Sequence, residues 1–188
     1  VQKQMAQNDA ALASFRQAIS ARHELPVVRL MIANLLKTGK DFSGAIDILR
    51  EELAIRPDNK DAHVNLAQIY ERMNRLDEAA ASARAALQIQ PGHTGANLIL
   101  AHVARRQENY LEAEKLYRDI VTNPDSPDTQ QARAHLAHVL DRQGRYEEAF
   151  EQSNICMTRW KRLAAKRKLF PETYLSLLQD CSDWLDTR

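Results

Sequence analysis

Alanine returns in this sequence at a fixed stride. Ala11, Ala45, Ala79, Ala113 and Ala149 stand 34, 34, 34 and 36 residues apart. The neighbours keep step. Three residues before the later four come Phe42, Leu76, Tyr110 and Tyr146, and twelve before come Ala33, Ala67, Ala101 and Ala137. Ile32, Leu66, Leu100 and Leu136 precede that second set by one. Ile19, Leu53, Leu87, Val121 and Met157 follow the first set by eight, and Pro57 and Pro91 are also 34 apart. A period of this length means one supersecondary unit used repeatedly, because no such unit buries its own apolar faces alone.

The spacing inside a unit is helical. In "KDAHVNLAQIYERM", Leu66, Ala67 and Tyr70 fall at i, i+1 and i+4, on one stripe. After a break at Asn74-Arg75, "LDEAAASARAALQI" supplies a second helix. Side chains this small cannot fill a core. They set how closely two helices cross, while larger residues fill the gap to the next hairpin. Proline ends the second helix, and Asp58, Thr94 and Asp128 are the expected caps of the helix that follows. Five glycines and six prolines in 188 residues disfavour a turn-rich all-β fold.

With Leu66, Ala67, Tyr70, Ala79, Ala86 and Pro91 in place, the chain resembles the tetratricopeptide repeat family over about residues 4–157. The resemblance implies an all-α, right-handed superhelical solenoid of stacked antiparallel helix pairs. The expected repeats are 26–59, 60–93, 94–129 and 130–163, the last following a two-residue insertion in "NPDSPDTQ". Residues 4–22 read as the second helix of an earlier repeat, so the chain is expected to belong to a longer protein. The apolar stripe of Tyr174, Leu177, Leu178, Cys181, Trp184 and Leu185 predicts a terminal helix over 171–186 that caps the array. Two kinds of departure stand out. Arg29, His63, Asn97 and Arg133 occupy a position where the family carries a large aromatic, and Glu52 occupies one where it carries a small residue.

In that family the first helix of each pair lines a concave groove that binds extended segments. Carried over, the groove residues are Asn34, Asn65, Gln68, Arg72, His102, Arg105, Arg106, His135, His138 and Arg142. Arg72, Arg106 and Arg142 share one repeat position and form a ladder of guanidinium forks suited to carboxylates. Helix ends also favour arginine through the dipole, with no ligand involved. Asn34, Asn65 and Gln68 offer paired donors and acceptors to a peptide backbone. The partner expected is a protein or peptide, partly acidic. A chaperone-tail clamp is excluded, since Leu30, Gly95 and Ile99 stand where its cations belong.

Other classes are disfavoured. The net charge of +1 supplies no field toward nucleic acid or membrane, and no apolar run approaches the ~20 residues of a bilayer span. "VQKQMAQNDA" has no apolar leader stretch. Cys156 and Cys181 make no disulfide framework and read as thiols in a reducing, cytoplasmic setting. No phosphate loop or catalytic motif occurs. His102, His135 and His138 would need to converge within ~2.1 Å of one point to hold a metal, whereas neighbouring helices lie ~9 Å apart. No metal, cofactor or catalytic residue is therefore expected. The pairs Glu51/Glu52 and Glu147/Glu148 read as solvated, as does the basic run from Arg159 to Lys168. The expected function is a non-catalytic protein-binding module. The alternative is the accessory repeat region of a modifying enzyme, a glycosyltransferase or a sulfotransferase. "LAHVLDRQGRYEEAFEQSNICMTRWKR" resembles the last repeat of bacterial tetratricopeptide sulfotransferases, whose phosphate-binding loop does not occur in this sequence.

Overall fold

The computed structural model describes residues 26–124 and 126–166. The expected half-repeat at 4–22 and terminal helix at 171–186 lie outside these residues. The described chain folds as hairpins in sequence: α1 (Pro26–Thr38) with α2 (Phe42–Ile55), α3 (Lys60–Arg72) with α4 (Leu76–Ile89), α5 (Thr94–Arg106) with α6 (Tyr110–Val121), and α7 (Thr129–Arg142) with α8 (Tyr146–Lys166). No strand occurs among the described residues. No described helix is long and apolar enough to cross a membrane.

The turn inside each hairpin obeys the same stride as the alanines. Lys40, Asn74, Glu108 and Gly144 all take left-handed backbone angles, with φ of 66, 61, 60 and 77°. That conformation lets the following amide reach back five residues to close the helix end. Asp41 N donates to Leu36 O at 2.9 Å, Arg75 N to Tyr70 O at 2.8 Å, Asn109 N to Ala104 O at 2.9 Å and Arg145 N to Leu140 O at 2.9 Å. Asp41 and Asn109 then cap the second helices through Gly44 N and Glu112 N. The expected caps of the first helices are displaced by one residue. Asn59, not Asp58, accepts from Ala62 N, and His93 Nδ1, not Thr94, accepts from Ala96 N. Asp128 stands at its cap position without a capping side-chain bond.

The stride alanines are the crossing points. Ala33, Ala45, Ala67, Ala79, Ala101 and Ala113 are at most 1% exposed. Ile32, Leu49, Ile69, Tyr117, Ile120, Leu136 and Leu140 fill the space between hairpins and are themselves fully buried. One apolar cluster joins α1–α4 to Ala96, Ile99 and Val103 of α5, and a second joins Leu98, Ala101 and Ala104 of α5 to α6–α8. Helix α5 thus contributes one side to each cluster, and no hairpin has a closed core of its own. Leucine at position 79 has no free volume to enter. A79L should lower stability by about 1–3 kcal/mol through overpacking; a denaturant midpoint that holds or rises would count against the close crossing.

One acidic residue departs from the solvated reading: Glu52 is fully buried between α1 and α2. Glu148 stays at the surface, where Arg118 and Arg145 engage it at 2.8 and 2.6 Å. Those arginines also share Glu114, at 2.8 and 2.7 Å, which ties α6 to α8 at the surface.

Candidate functional site

Helix α1 packs directly on α3, and α3 on α5, in addition to the contacts each makes with its own partner. From α1 to α5 the first helices therefore pack closer than the second ones, and the stack curves with α1, α3 and α5 on its inner side. Between α5 and α7 this contact loosens, and a pocket of about 210 Å³ opens there. Gln68, Glu71 and Arg72 of α3 form one wall, and Asp128 and Gln131 at the start of α7 the other. Its floor is Gly95, Leu98, Ile99 and His102 of α5. Leu98 and Ile99 are largely buried under it.

The ten groove residues divide by what they touch. Asn34 and His138 are exposed on α1 and α7. Asn65 and Gln68 are half-buried, and their oxygens accept from one ammonium, Lys37 Nζ, at 3.0 and 2.8 Å. Asn65 Nδ2 donates to its own helix at Asp61 O. Arg72 is exposed and makes no ion pair or hydrogen bond with the described residues. Arg106 turns back onto the preceding hairpin. Its Nη1 donates to Glu71 Oε1 at 3.0 Å and to Glu71 O at 2.8 Å, and its Nη2 to Asn74 Oδ1 at 2.8 Å. Arg142 Nε donates to Tyr110 OH at 3.4 Å. The three arginines are thus one position by sequence and three situations in space.

His102 and His135 meet edge to face, with ring centroids 4.6 Å apart, and both lie on the ring of Tyr117, at 6.0 and 5.7 Å. Burial, reinforced by His135, Arg105 and Arg106, brings the pKa of His102 down to about 4. Burial and then Arg105 lower that of His135. Burial raises the Tyr117 phenol to about 12, against the opposing pull of Arg105. His102 Nε2, Arg105 Nε and Tyr117 OH are buried without a hydrogen-bond partner. His138 does not join the rings. Among the described residues no group of three or more His, Cys, Asp or Glu is placed to hold a metal. Lys37 and Gln131 hold groove-lining repeat positions in the sequence, whereas Tyr117, on a second helix, does not. Lys37 lies in the last turn of α1, where a lysine satisfies the helix dipole without further purpose.

Tetratricopeptide repeat models match residues 38–83 and 99–153, together more than half of the chain. The chain belongs to the tetratricopeptide repeat family. Among curated relatives, the mouse protein O-mannosyl-transferase TMTC3 is 27% identical over 135 residues, which is 63% of this chain and 15% of that protein. The repeat array therefore spans a small part of the relative that it matches. Among solved structures, MamA superposes with a TM-score of 0.71 at 13% identity, covering 87% of this chain and 94% of that one. YrrB, described as a tetratricopeptide repeat protein with an unusual peptide-binding site, gives 0.64 at 19% identity, covering 77% and 73%. These likenesses carry the fold: repeat hairpins with an inner groove.

Proposed function

We propose that this chain binds an extended protein segment along the inner face of α1, α3, α5 and α7. The observation that carries the reading is the pocket across α3, α5 and α7. Its walls, Gln68, Glu71, Arg72, Asp128 and Gln131, are all polar, over a floor that includes the apolar Leu98 and Ile99. A few placed polar groups around an apolar base are what a cleft uses to hold and orient a partner. Gln131 is exposed at the mouth, so Q131W fills the pocket without disturbing the core. The wild-type chain is expected to select binders from a random heptapeptide library. Q131W should lose about tenfold in their affinity, while E112W on the exposed side of α6 loses none. Equal binding by all three would remove the groove from the reading.

A second reading has one observation in its favour. The relative with 27% identity is a mannosyl-transferase of which this chain spans 15%. On that reading the repeats are the accessory, partner-binding part of a longer transferase. A catalytic domain in frame on either side of residues 1–188 would support it, and a full-length reading frame holding none on either side would oppose it.

A further inference from the structure

The groove arginines share a repeat position, so each faces the same place on the hairpin before it. For Arg106 that place holds Glu71 and Asn74, and its guanidinium bonds to both. One repeat earlier the matching residues are Lys37 and Lys40. By repeat position Arg72 therefore has Lys37 and Lys40 where Arg106 has a carboxylate and an amide. It stands close enough to Lys37 for its charge to act on the ammonium. One repeat later Arg105 takes the place of Glu71, but there Arg142 has the Tyr110 hydroxyl and the nearby charge of Glu108. Among the described residues, the Arg72 rung is the one of the three without an acceptor.

Lys37 is held in place rather than left to wander. Two of its three ammonium protons go to Asn65 Oδ1 and Gln68 Oε1, and no described carboxylate pairs with it. Burial first, and Arg72 second, push its pKa below the usual lysine range. Two cations kept together, one of them half-buried, are unfavourable unless an anion joins them. Because the Gln68 oxygen is occupied, that side chain has its NH₂ left to donate, and it lines the pocket together with Arg72. Two acidic side chains share the pocket: Glu71, neutralised by Arg106, and Asp128 on the far wall.

We infer that Lys37, Arg72 and the Gln68 amide form a seat for one carboxylate of the bound segment, filling the place that Glu71 holds one repeat later. This deepens the groove reading and rests on it. The carboxylate comes from an Asp or Glu side chain or from a chain terminus. Other groove positions read shape and backbone, and this one reads charge.

Random heptapeptides displayed in two formats, with free and with blocked carboxy termini, test the inference on the full chain. Wild type should enrich Asp or Glu at one register. Enrichment in both formats assigns a side chain, and acidic binding confined to free termini assigns the terminal carboxylate. Arg72 has no internal partner, so R72Q leaves the fold intact and should bind the selected acidic peptide about tenfold more weakly. R72E supplies the missing carboxylate from within. It should raise the thermal midpoint and abolish the acidic preference together, a pairing that a purely structural role would not produce. Peptides selected with no acidic register, or bound equally by R72Q, would overturn the seat and leave the groove standing. Failure to select any heptapeptide in either format would overturn both.

Discussion

Replacing Glu52 with alanine should cost the chain about 3–5 kcal/mol, although alanine is what the repeat two helices on carries at the equivalent position, Ala86. The position is buried whatever occupies it: Glu52 and Ala86 are both 0% exposed, and Ile120 one repeat later is 2% exposed. A carboxylate survives there because donors surround it. Arg29 Nη1 lies 3.4 Å from Oε2, while Arg56 Nη1 and Asn59 Nδ2 reach Oε1 at 3.0 and 2.8 Å. Arg29 is 5% exposed, and its Nε already lacks a partner. Without Glu52 a buried guanidinium is stranded, and stranding a charge costs far more than a well-made ion pair contributes. The same logic predicts rescue. R29L/E52A removes both charges and should recover most of the loss, with a large coupling energy in the double-mutant cycle. Denaturant titration gives the totals, and amide exchange should show the opening concentrated in α1 and α2, since repeats unfold by neighbours. If E52A costs under 1 kcal/mol, or R29L/E52A costs as much as E52A alone, the charges are not coupled.

Arg29 and Glu52 show where sequence reading stops. The alanine stride reports backbone geometry directly, because only small side chains allow the crossing, and the helices and turns follow from it. Departures from the pattern are seen one position at a time. Arg29 and Glu52 are 23 residues apart, and nothing in the period says that they face each other. The signal was the presence of two opposite charges at two core positions of one repeat. The cap errors are of another kind: Asp58 and Asn59 are adjacent and both competent, and the path of the turn decides between them. In the groove, equivalence of position placed Arg72, Arg106 and Arg142 in one row. What each touches depends on the residue one stride earlier, which is Lys37, Glu71 or Arg105. A periodic scaffold makes positions legible and leaves pairings to the residues that break the period.

Acidification from pH 6.5 to 4 should remove about 2–3 kcal/mol through His102 alone. The folded pKa of this residue is about 4, below the value of 6.5 for a free imidazole. Above pH 6.5 the ring is neutral whether the chain is folded or unfolded, and no penalty arises. Below 6.5 the unfolded chain takes up the proton, while the folded site refuses it until about 4. The unfolded state binds more protons across that window, so stability falls as pH falls. Burial is the main cause, and His135, Arg105 and Arg106 oppose a further positive charge. His135, also lowered, adds to the fall in the same direction. Carboxylates such as Glu114, whose pKa is held down by Arg118 and Arg145 despite its burial, lose their contribution at lower pH. The comparison with H102F isolates the histidine. Phenylalanine keeps a ring against Tyr117 and His135, takes no proton, and removes a buried nitrogen that has no partner. H102F should match or exceed wild type at pH 7 and lose about 2 kcal/mol less between pH 6.5 and 4. Denaturant midpoints at four or five pH values decide the matter: parallel curves for the two proteins would show that the His102 site accepts its proton as readily folded as unfolded.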